Sequence, residues 1–393
     1  MASLNDFGDF MKSTAPAWAS SQEAFVNELQ ERNYPLARFL KGRDTSETFQ
    51  NGERIKDGII LDAAGTFQMI DPETESVWSN TQTLSEWQIP WRFAQSHMTW
   101  TAQEVELNEG SSAAVWKRVK KIKQTGLAND VVNGMNAKLF SRPSYSKMES
   151  FTAAPGEPQS IPALVNEYAN GLWAPGTAAS PAIADTYNAG TIQGISPTTK
   201  TRWQPTRKSY ANFDAAPTAG TTNLLMAFDD IFLDLQFRQP GTMNEYFEST
   251  DMFRQVIYCT KDGIVKYKKL LRDANDVQVT PSRQDPAYVN ATYAGIPLER
   301  APQLETELLY GTSTALVPAN EASQTNSISG PRYYWINANY MKMAFHSNYY
   351  FKYLDVFSPE RNRTKYVMPI QTWFNLYVTS RRHHGVVYPT ANA

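Results

Sequence analysis

The sequence predicts a mixed α+β chain. Two observations predict it: aromatic, extended segments lie near both ends, and two apolar stripes with helical spacing lie between them. The balance of residue types adds a third. The chain holds 20 Tyr, 19 Phe and 10 Trp against 1 Cys and 4 His. Aromatic side chains bury large areas and anchor interfaces, whereas catalysis and metal binding draw on clustered His, Cys, carboxylates or activated hydroxyls. Such a chain is suited to holding surfaces together.

Residues 1–50 are polar and rich in small residues, with one short amphipathic patch at Phe25, Leu29, Leu36 and Phe39-Leu40. They read as an arm. Residues 51–110 read as one or two long hairpins. Ile59, Ile60, Leu61, Phe67, Met69 and Ile70 follow no helical period, and Asp71-Pro72-Glu73-Thr74 has turn chemistry. Trp78, Trp87, Trp91 and Trp100 fall on this ribbon. A strand pair with so many Trp and so little local core is expected to need a neighbour to cover it.

A long helix follows, capped by Ser111 or Ser112 and ending before Pro143. Val115, Trp116, Val119 and Ile122 make one stripe, and Leu127, Val131, Met135 and Leu139 resume it after Thr125-Gly126, so either one long helix with a kink or two helices in line are expected. Lys117, Arg118, Lys120, Lys121 and Lys123 crowd the other faces. Residues 153–222, rich in Ala, Pro, Gly, Ser and Thr, are too long for an ordinary loop yet carry Trp173, Tyr187, Trp203 and Tyr210. Neighbouring elements, other subunits included, are expected to pin them.

A second helix places Leu224, Leu225, Phe228, Ile231, Phe232 and Leu235 on one face and stops at Pro240-Gly241. Arg254 to Cys259 reads as a strand, Thr260-Lys261-Asp262-Gly263 as a turn, and Ile264, Tyr267, Leu270 and Leu271 as a helix face. The end is mostly β: Tyr333 to Ile336, Asn348 to Leu354 and Thr372 to Val378 are the expected strands.

Composition excludes several classes. A net charge of −2 is not that of a strongly basic nucleic-acid binder. Cys259 stands alone, so no internal disulfide and no thiolate zinc cage forms. No apolar run approaches the roughly 20 residues of a membrane span, and Met1 to Phe10 lacks a secretory pattern. No cofactor fingerprint or nucleophile elbow is present.

Each candidate site has a plain alternative. His383-His384 read as surface or interface residues. Asp230 and Asp234, four apart on the second helix, read as a solvated face. Thr260 reads as a helix cap, since Thr260-Lys261-Asp262-Gly263 lacks the glycines of a phosphate loop. Cys259 reads as buried and inert. The basic run Lys117 to Lys123 is the most suggestive. It either meets phosphates without reading sequence or pairs with acids on a neighbour.

Several stretches resemble the major capsid proteins of tailed double-stranded DNA bacteriophages. They are Ala114-Val115-Trp116-Lys117-Arg118-Val119-Lys120-Lys121-Ile122-Lys123 followed by Asp130-Val131-Val132-Asn133-Gly134-Met135; Arg254-Gln255-Val256-Ile257-Tyr258-Cys259; Asp285-Pro286-Ala287-Tyr288 leading to Tyr293-Ala294-Gly295-Ile296-Pro297-Leu298; and Trp373-Phe374-Asn375-Leu376-Tyr377 closing on Arg381-Arg382-His383-His384-Gly385. The resemblance implies the Hong Kong-type capsid fold, α+β, in four parts. These are an N-terminal arm (1–50), an extended β-hairpin loop (51–102), a peripheral domain with a long spine helix (103–155 and 330–372), and an axial domain (156–329 and 373–393).

What the resemblance implies about function is a non-enzymatic structural protein without cofactors or metal. It would self-assemble as hexameric and pentameric capsomers into the icosahedral head shell, found in the virion and assembled in the host cytoplasm. Trp78, Trp87, Trp91 and Trp100 would meet other subunits. Lys117, Lys120, Lys121 and Lys123 would form an inner basic face toward packaged double-stranded DNA or inter-subunit ion pairs. The partners would be a separate scaffolding protein, a portal and decoration proteins, with no membrane. Some members cross-link a Lys of the extended loop, but Lys56 sits at the base of this ribbon, so cross-linking is not expected. The competing readings are a tail tube, sheath or portal component, or a carbohydrate-active enzyme using Trp and Tyr as sugar platforms.

Overall fold

The computed structural model describes residues 36, 39, 46–49, 52, 54–61, 84–104, 113–141, 148, 156–166, 191–213, 222–237, 255–273, 291–304, 331–359 and 364–389, with backbone alone at 46–49, 113–122, 124, 125, 128, 236, 237, 272 and 273. Trp78, Trp173, Tyr187 and Pro240-Gly241 lie outside the described residues.

Two sheets organise the chain. The first is built on the strand β12 (Lys365–Val378). Along one edge it pairs antiparallel with β4 (Arg92–Thr101) in register from Lys365 opposite Thr101 to Phe374 opposite Arg92. Along the other edge it pairs antiparallel with β10 (Met341–His346) and β11 (Lys352–Tyr353). β1 (Ser46–Phe49) adds parallel to β10. The second sheet runs β5 (Thr206–Tyr210), β13 (Gly385–Pro389), β9 (Tyr333–Asn337), β6 (Gln255–Cys259), β8 (Ile296–Arg300), β7 (Ala291–Tyr293). Ala294 and Gly295 join β7 to β8 with φ of 48° and 84°, the left-handed pair that a two-residue hairpin turn needs.

The period of two explains why central strands read as unbroken apolar runs. In β9 and β6, Tyr334, Ile336, Val256 and Tyr258 face one core, while Tyr333, Trp335, Ile257 and Cys259 face another. Both faces are covered, so neither strand shows a polar side. The first core also receives Leu127, Val131, Met135 and Leu139 of the helix α1 (Ala113–Leu139), and Ile370, Phe374, Leu376 and Val378 of β12. The second core is closed by Leu224, Phe228 and Ile231 of α2 (Leu224–Phe237) and by Tyr267 and Leu270 of α3 (Lys261–Asp273). Both helix faces were legible from spacing.

Four expectations are corrected. Of the two alternatives for the long helix, two in line is ruled out, since α-helix runs unbroken through Thr125-Gly126. Asn348 to Leu354 is a strand only at Lys352–Tyr353. A 3-10 turn at Ser347–Tyr349 and a left-handed Phe351 (φ 47°) interrupt it, and the Phe351 amide donates to Thr372 Oγ1 at 3.0 Å. Sheet membership also moves the expected boundaries. Residues 92–101 belong to the first sheet, not to a free hairpin, and β9 belongs to the second. The chain crosses between sheets at 338–340 and 379–384, not at 330 and 372. Finally, Leu36 and Phe39 in the expected arm are buried in the chain's own first core, and β1 is an edge strand of its own sheet.

The described residues of the irregular stretch after α1 are held by the chain itself. Arg92 is buried and donates through Nε to the Glu157 carbonyl (2.9 Å) and through Nη2 to that of Met148 (2.7 Å). Asn375 accepts from the Gln159 amide (2.9 Å) and donates to the Pro90 carbonyl (2.7 Å). Arg381, fully buried, donates to the Leu164 carbonyl through Nε (3.0 Å) and Nη2 (2.7 Å) and to the Trp203 carbonyl through Nη1 (3.0 Å). Backbone groups that no ladder satisfies are thus satisfied by side chains projecting from the sheets, which is what lets an irregular segment be buried.

The second crossing, beside Arg381, carries His383 and His384, which are buried rather than on the surface. His383 stacks on Tyr340 at 4.2 Å between ring centroids, and His384 Nδ1 accepts from the Asn337 amide at 3.2 Å. Burial, reinforced by His383 and the Arg381 charge, pulls the His384 imidazole from its ordinary 6.5 down to about 3. The folded chain therefore keeps His384 neutral.

Two outcomes follow from these contacts. Below pH 6.5 the unfolded chain takes up a proton at His384 that the folded chain refuses, so stability falls as pH drops from about 6.5 toward 3. The contribution is on the order of 1.4 kcal/mol per pH unit, and His384→Gln should flatten that slope in denaturant titrations at pH 7 and 5. Separately, a Cβ on Gly156 would overlap Arg92 Nη1. Gly156→Ala should expel the guanidinium and cost about 2 kcal/mol or more, because buried carbonyls lose their donors. Chemical denaturation reads this directly.

Candidate assembly surface

The ribbon begins as an antiparallel pair, β2 (Arg54–Ile60) and β3 (Leu84–Pro90), in register from Arg54 opposite Pro90 to Ile60 opposite Leu84. Alternation gives it two unlike faces. Ile55, Trp87 and Ile89 turn inward to a third core with Leu61, Trp91, Ile195, Trp203, Ala344 and Tyr377. Trp87 is 3% exposed and stacks on Tyr377 at 4.9 Å between centroids. Trp91 is buried and donates from its indole nitrogen to the Gly52 carbonyl at 2.9 Å. Trp100 is buried on the first core and stacks on Tyr366.

The expectation that these tryptophans need a neighbouring subunit is therefore corrected for Trp87, Trp91 and Trp100. Their own chain covers them, because 92–101 joins β12 and draws the root of the ribbon onto the first sheet. Trp78 lies outside the described residues. Composition counted the aromatics correctly and could not tell which surface would cover them.

What stays uncovered lies on the opposite face and farther out. Ile60 and Leu84, directly opposite each other, are 73% and 61% exposed. Behind them Lys56 pairs with Glu86 at 3.2 Å on an exposed face. On the first sheet Phe93 is 67% exposed, with its ring set edge-on to Trp373 at 4.8 Å. Trp373 stacks on Tyr349 at 4.0 Å, and Lys352 Nζ lies 5.0 Å from the Tyr349 ring centre. Among the described residues this surface carries apolar and aromatic contact area. Sequence reading passed over Ile60, Leu84 and Phe93, although the strict alternation of β4, with Phe93, Gln95, His97 and Thr99 all exposed, was a usable signal.

The basic run on α1 divides. Lys123 ion-pairs with Glu104 at 3.0 Å and reaches the Thr99 carbonyl at 3.3 Å, so it serves its own chain, a correction to the expected inner face or inter-subunit role. The side chains of Lys117, Lys120 and Lys121 lie outside the described residues. Ser96 donates to Asp130 at 2.6 Å, a second tie between α1 and β4.

The remaining candidates take their plain readings. Thr260 Oγ1 accepts from the Gly263 amide at 3.1 Å, a helix cap. Asp234 and Asp230 face Lys208 at 3.1 and 3.8 Å. Cys259 is fully buried, and burial pushes its thiol well up. Among the described residues no group of three or more His, Cys, Asp and Glu is placed to hold a metal ion, and no helix is long and apolar enough to cross a membrane.

No protein-family model matches the sequence, and no curated protein matches it. Solved structures do. The chain is similar to one in the cyanophage A-1(L) capsid asymmetric unit, at 15% identity over 94% of each chain with a TM-score of 0.52. It is also similar to a chain of the capsid of the native GTA particle, at 9% identity over 98% of this chain and 99% of that one, with a TM-score of 0.54. The empty GTA particle gives 10% identity, 96% of each chain and 0.51. At such identities the likeness establishes the fold: a mixed α+β chain with the Hong Kong-type capsid fold.

If Trp87 is covered from within, its loss must be felt by the isolated chain. Trp87→Ala should cost about 3–5 kcal/mol in denaturation of the unassembled protein. A purely inter-subunit Trp would leave that midpoint unmoved.

Proposed function

We propose that this chain is the major capsid protein of a tailed double-stranded DNA bacteriophage. Copies form hexamers and pentamers that close into the icosahedral head shell of the virion, assembled in the host cytoplasm. The observation that carries the reading is the capsid fold spanning nearly the whole chain and nearly the whole of the capsid chains it resembles. A fold shared from end to end includes the parts that in a shell face neighbours, not merely a common core.

On this reading each region has a mechanical role. The β2–β3 ribbon is the extended loop, rooted in its own subunit by Trp87 and Trp91 and presenting Ile60 and Leu84 to the next one. α1 is the spine helix of the peripheral domain, with the first sheet beside it. The second sheet and its two helices form the axial domain near the capsomer centre. Residues 1–50 serve as the arm, and Trp78 meets a neighbour. Lys117, Lys120 and Lys121 serve packaged DNA or ion pairs with an adjoining subunit. The working partners are a scaffolding protein, a portal and decoration proteins. Lys56 is ion-paired with Glu86 at 3.2 Å, which fits a shell without a covalent Lys cross-link at this position.

Repeated contacts of this kind close with symmetry, and summed interface area then supports the particle beyond what the monomer supplies. Electron micrographs of the concentrated pure protein should show closed shells. Tubes, rings or particles that stay solitary would overturn the reading. The ribbon supplies the sharper test. Ile60→Ser with Leu84→Ser removes two exposed apolar side chains, so the monomer's denaturation midpoint should hold within about 0.5 kcal/mol while shell yield drops at least tenfold.

A further inference from the structure

We propose that the outer face of α2 is a docking surface for a second copy of this chain, and that it receives the outer face of α3 on that copy. The proposal rests on the capsid reading for its setting and deepens it by naming one contact between neighbours. α2 and α3 close the same core of the second sheet, where Phe228 and Tyr267 stack at 5.7 Å between ring centroids. Their inner faces are spent there. On the outer face of α2, Met226 and Leu233 are 49% and 50% exposed, and the exposed Asp229 and Asp230 stand between them. Positions 226, 229, 230 and 233 follow the spacing of one helical stripe. On α3, Val265 is 56% exposed, and Lys269, one turn further on the same side, is exposed as well.

The two stripes are complementary in sign. Asp230 and Asp234 share Lys208, at 3.8 and 3.1 Å, and Asp229 accepts from the neutral Tyr293 phenol. Three carboxylates therefore meet one cation, and the α2 face keeps negative charge. On α3 the Asp262 carboxylate is matched by Lys266 at 3.1 Å, whereas Lys269 has no ion pair among the described residues. The spacing matches too. At a rise of about 1.5 Å per residue, Leu233 lies about 4.5 Å along its helix from Asp230 and about 6 Å from Asp229, and Val265 lies about 6 Å from Lys269. Setting Val265 on Leu233 with the helices antiparallel brings Lys269 beside both carboxylates. An apolar centre then sits next to a charged rim, the usual anatomy of an interface.

Charge also selects the occupant. A second α2 would set acid against acid, which like-charge repulsion disfavours, so the fitting partner is α3 of another copy. Such a contact joins unlike patches. Heterologous contacts repeat from copy to copy and close into rings where the rotation allows, and a ring is what hexamers and pentamers require.

Single-cysteine variants of the full chain test the contact, because the native Cys259 is fully buried. Leu233→Cys and Val265→Cys proteins are mixed at assembly concentration and treated with a short bismaleimide, and each is also treated alone. Two charge changes are then added. Asp229→Lys with Asp230→Lys goes on the Leu233→Cys copy, where Asp234 keeps Lys208 paired, and Lys269→Asp goes on the Val265→Cys copy. Circular dichroism and melting check that each variant is folded.

Covalent dimers on denaturing gels should form in the mixture at least about tenfold faster than with either variant alone. Reversing the α2 charges should slow that cross-link at least about fivefold, and reversing Lys269 as well should restore it to within about twofold of the parent mixture. Misfolding cannot imitate such a rescue. A mixture no faster than the separate variants, or charge reversals without effect, would overturn the proposal. Micrographs of the same samples keep it apart from the capsid reading. Closed shells without the mixed cross-link sink this contact alone, and cross-linked copies without closed shells sink the capsid reading and leave the contact standing.

Discussion

The antiparallel ladder between β4 and β12 is the constraint on which the other parts hang. Ten residue pairs hold it in one register, from Arg92–Phe374 to Thr101–Lys365. A slip of one residue would turn Met98, Trp100, Ile370 and Phe374 away from the first core and bring Phe93, Gln95 and His97 into it. β3 passes through Trp91 into β4, so the ladder aims the ribbon. α1 follows β4 and packs its Leu127–Leu139 stripe against the same face. Beyond Val378, the end of β12, the chain crosses to the second sheet through Arg381 and His384.

That geometry explains why a subunit so rich in tryptophan is not simply adhesive. Trp87, Trp91, Trp100 and Trp203 are spent on the interior, where they fix the ribbon root and the irregular segment. Among the described residues, the exposed apolar side chains lie in separated places, such as the Ile60–Leu84 pair, the Phe93 ring against Trp373, and Phe357. On the proposed capsid reading, modest separate contacts would suit a chain that meets several neighbours reversibly, since each is weak and only their sum is strong.

Buried polar side chains do the work that regular ladders cannot. Arg92, Asn375 and Arg381 each reach from a sheet, or from the crossing at its end, to backbone groups of irregular segments. A buried guanidinium carries five donors in a fixed plane and can satisfy carbonyls that face no strand. Removing water from these groups is costly, and the hydrogen bonds offset that cost only in one arrangement. They therefore specify how irregular chain lies on regular chain.

The sequence by itself determined the elements whose signal is local. The stripe Leu127, Val131, Met135, Leu139, the face Leu224 to Leu235, the strand ending in Cys259 and the Thr260 cap were all readable, because a helix or strand repeats every 3.6 or 2 residues regardless of its surroundings. The order of segments, carrying several family-like stretches, was enough to suggest the capsid fold. Only the tertiary structure decided who covers whom. Trp87 and Trp91 read as needing a neighbour and found Tyr377 and Gly52; His383 and His384 read as surface or interface residues and are buried; Lys123 read as part of an inner face or an inter-subunit pair and holds Glu104. Burial of an aromatic ring or pairing of a charge depends on residues tens to hundreds of positions away, and a one-dimensional pattern does not record which of them arrives.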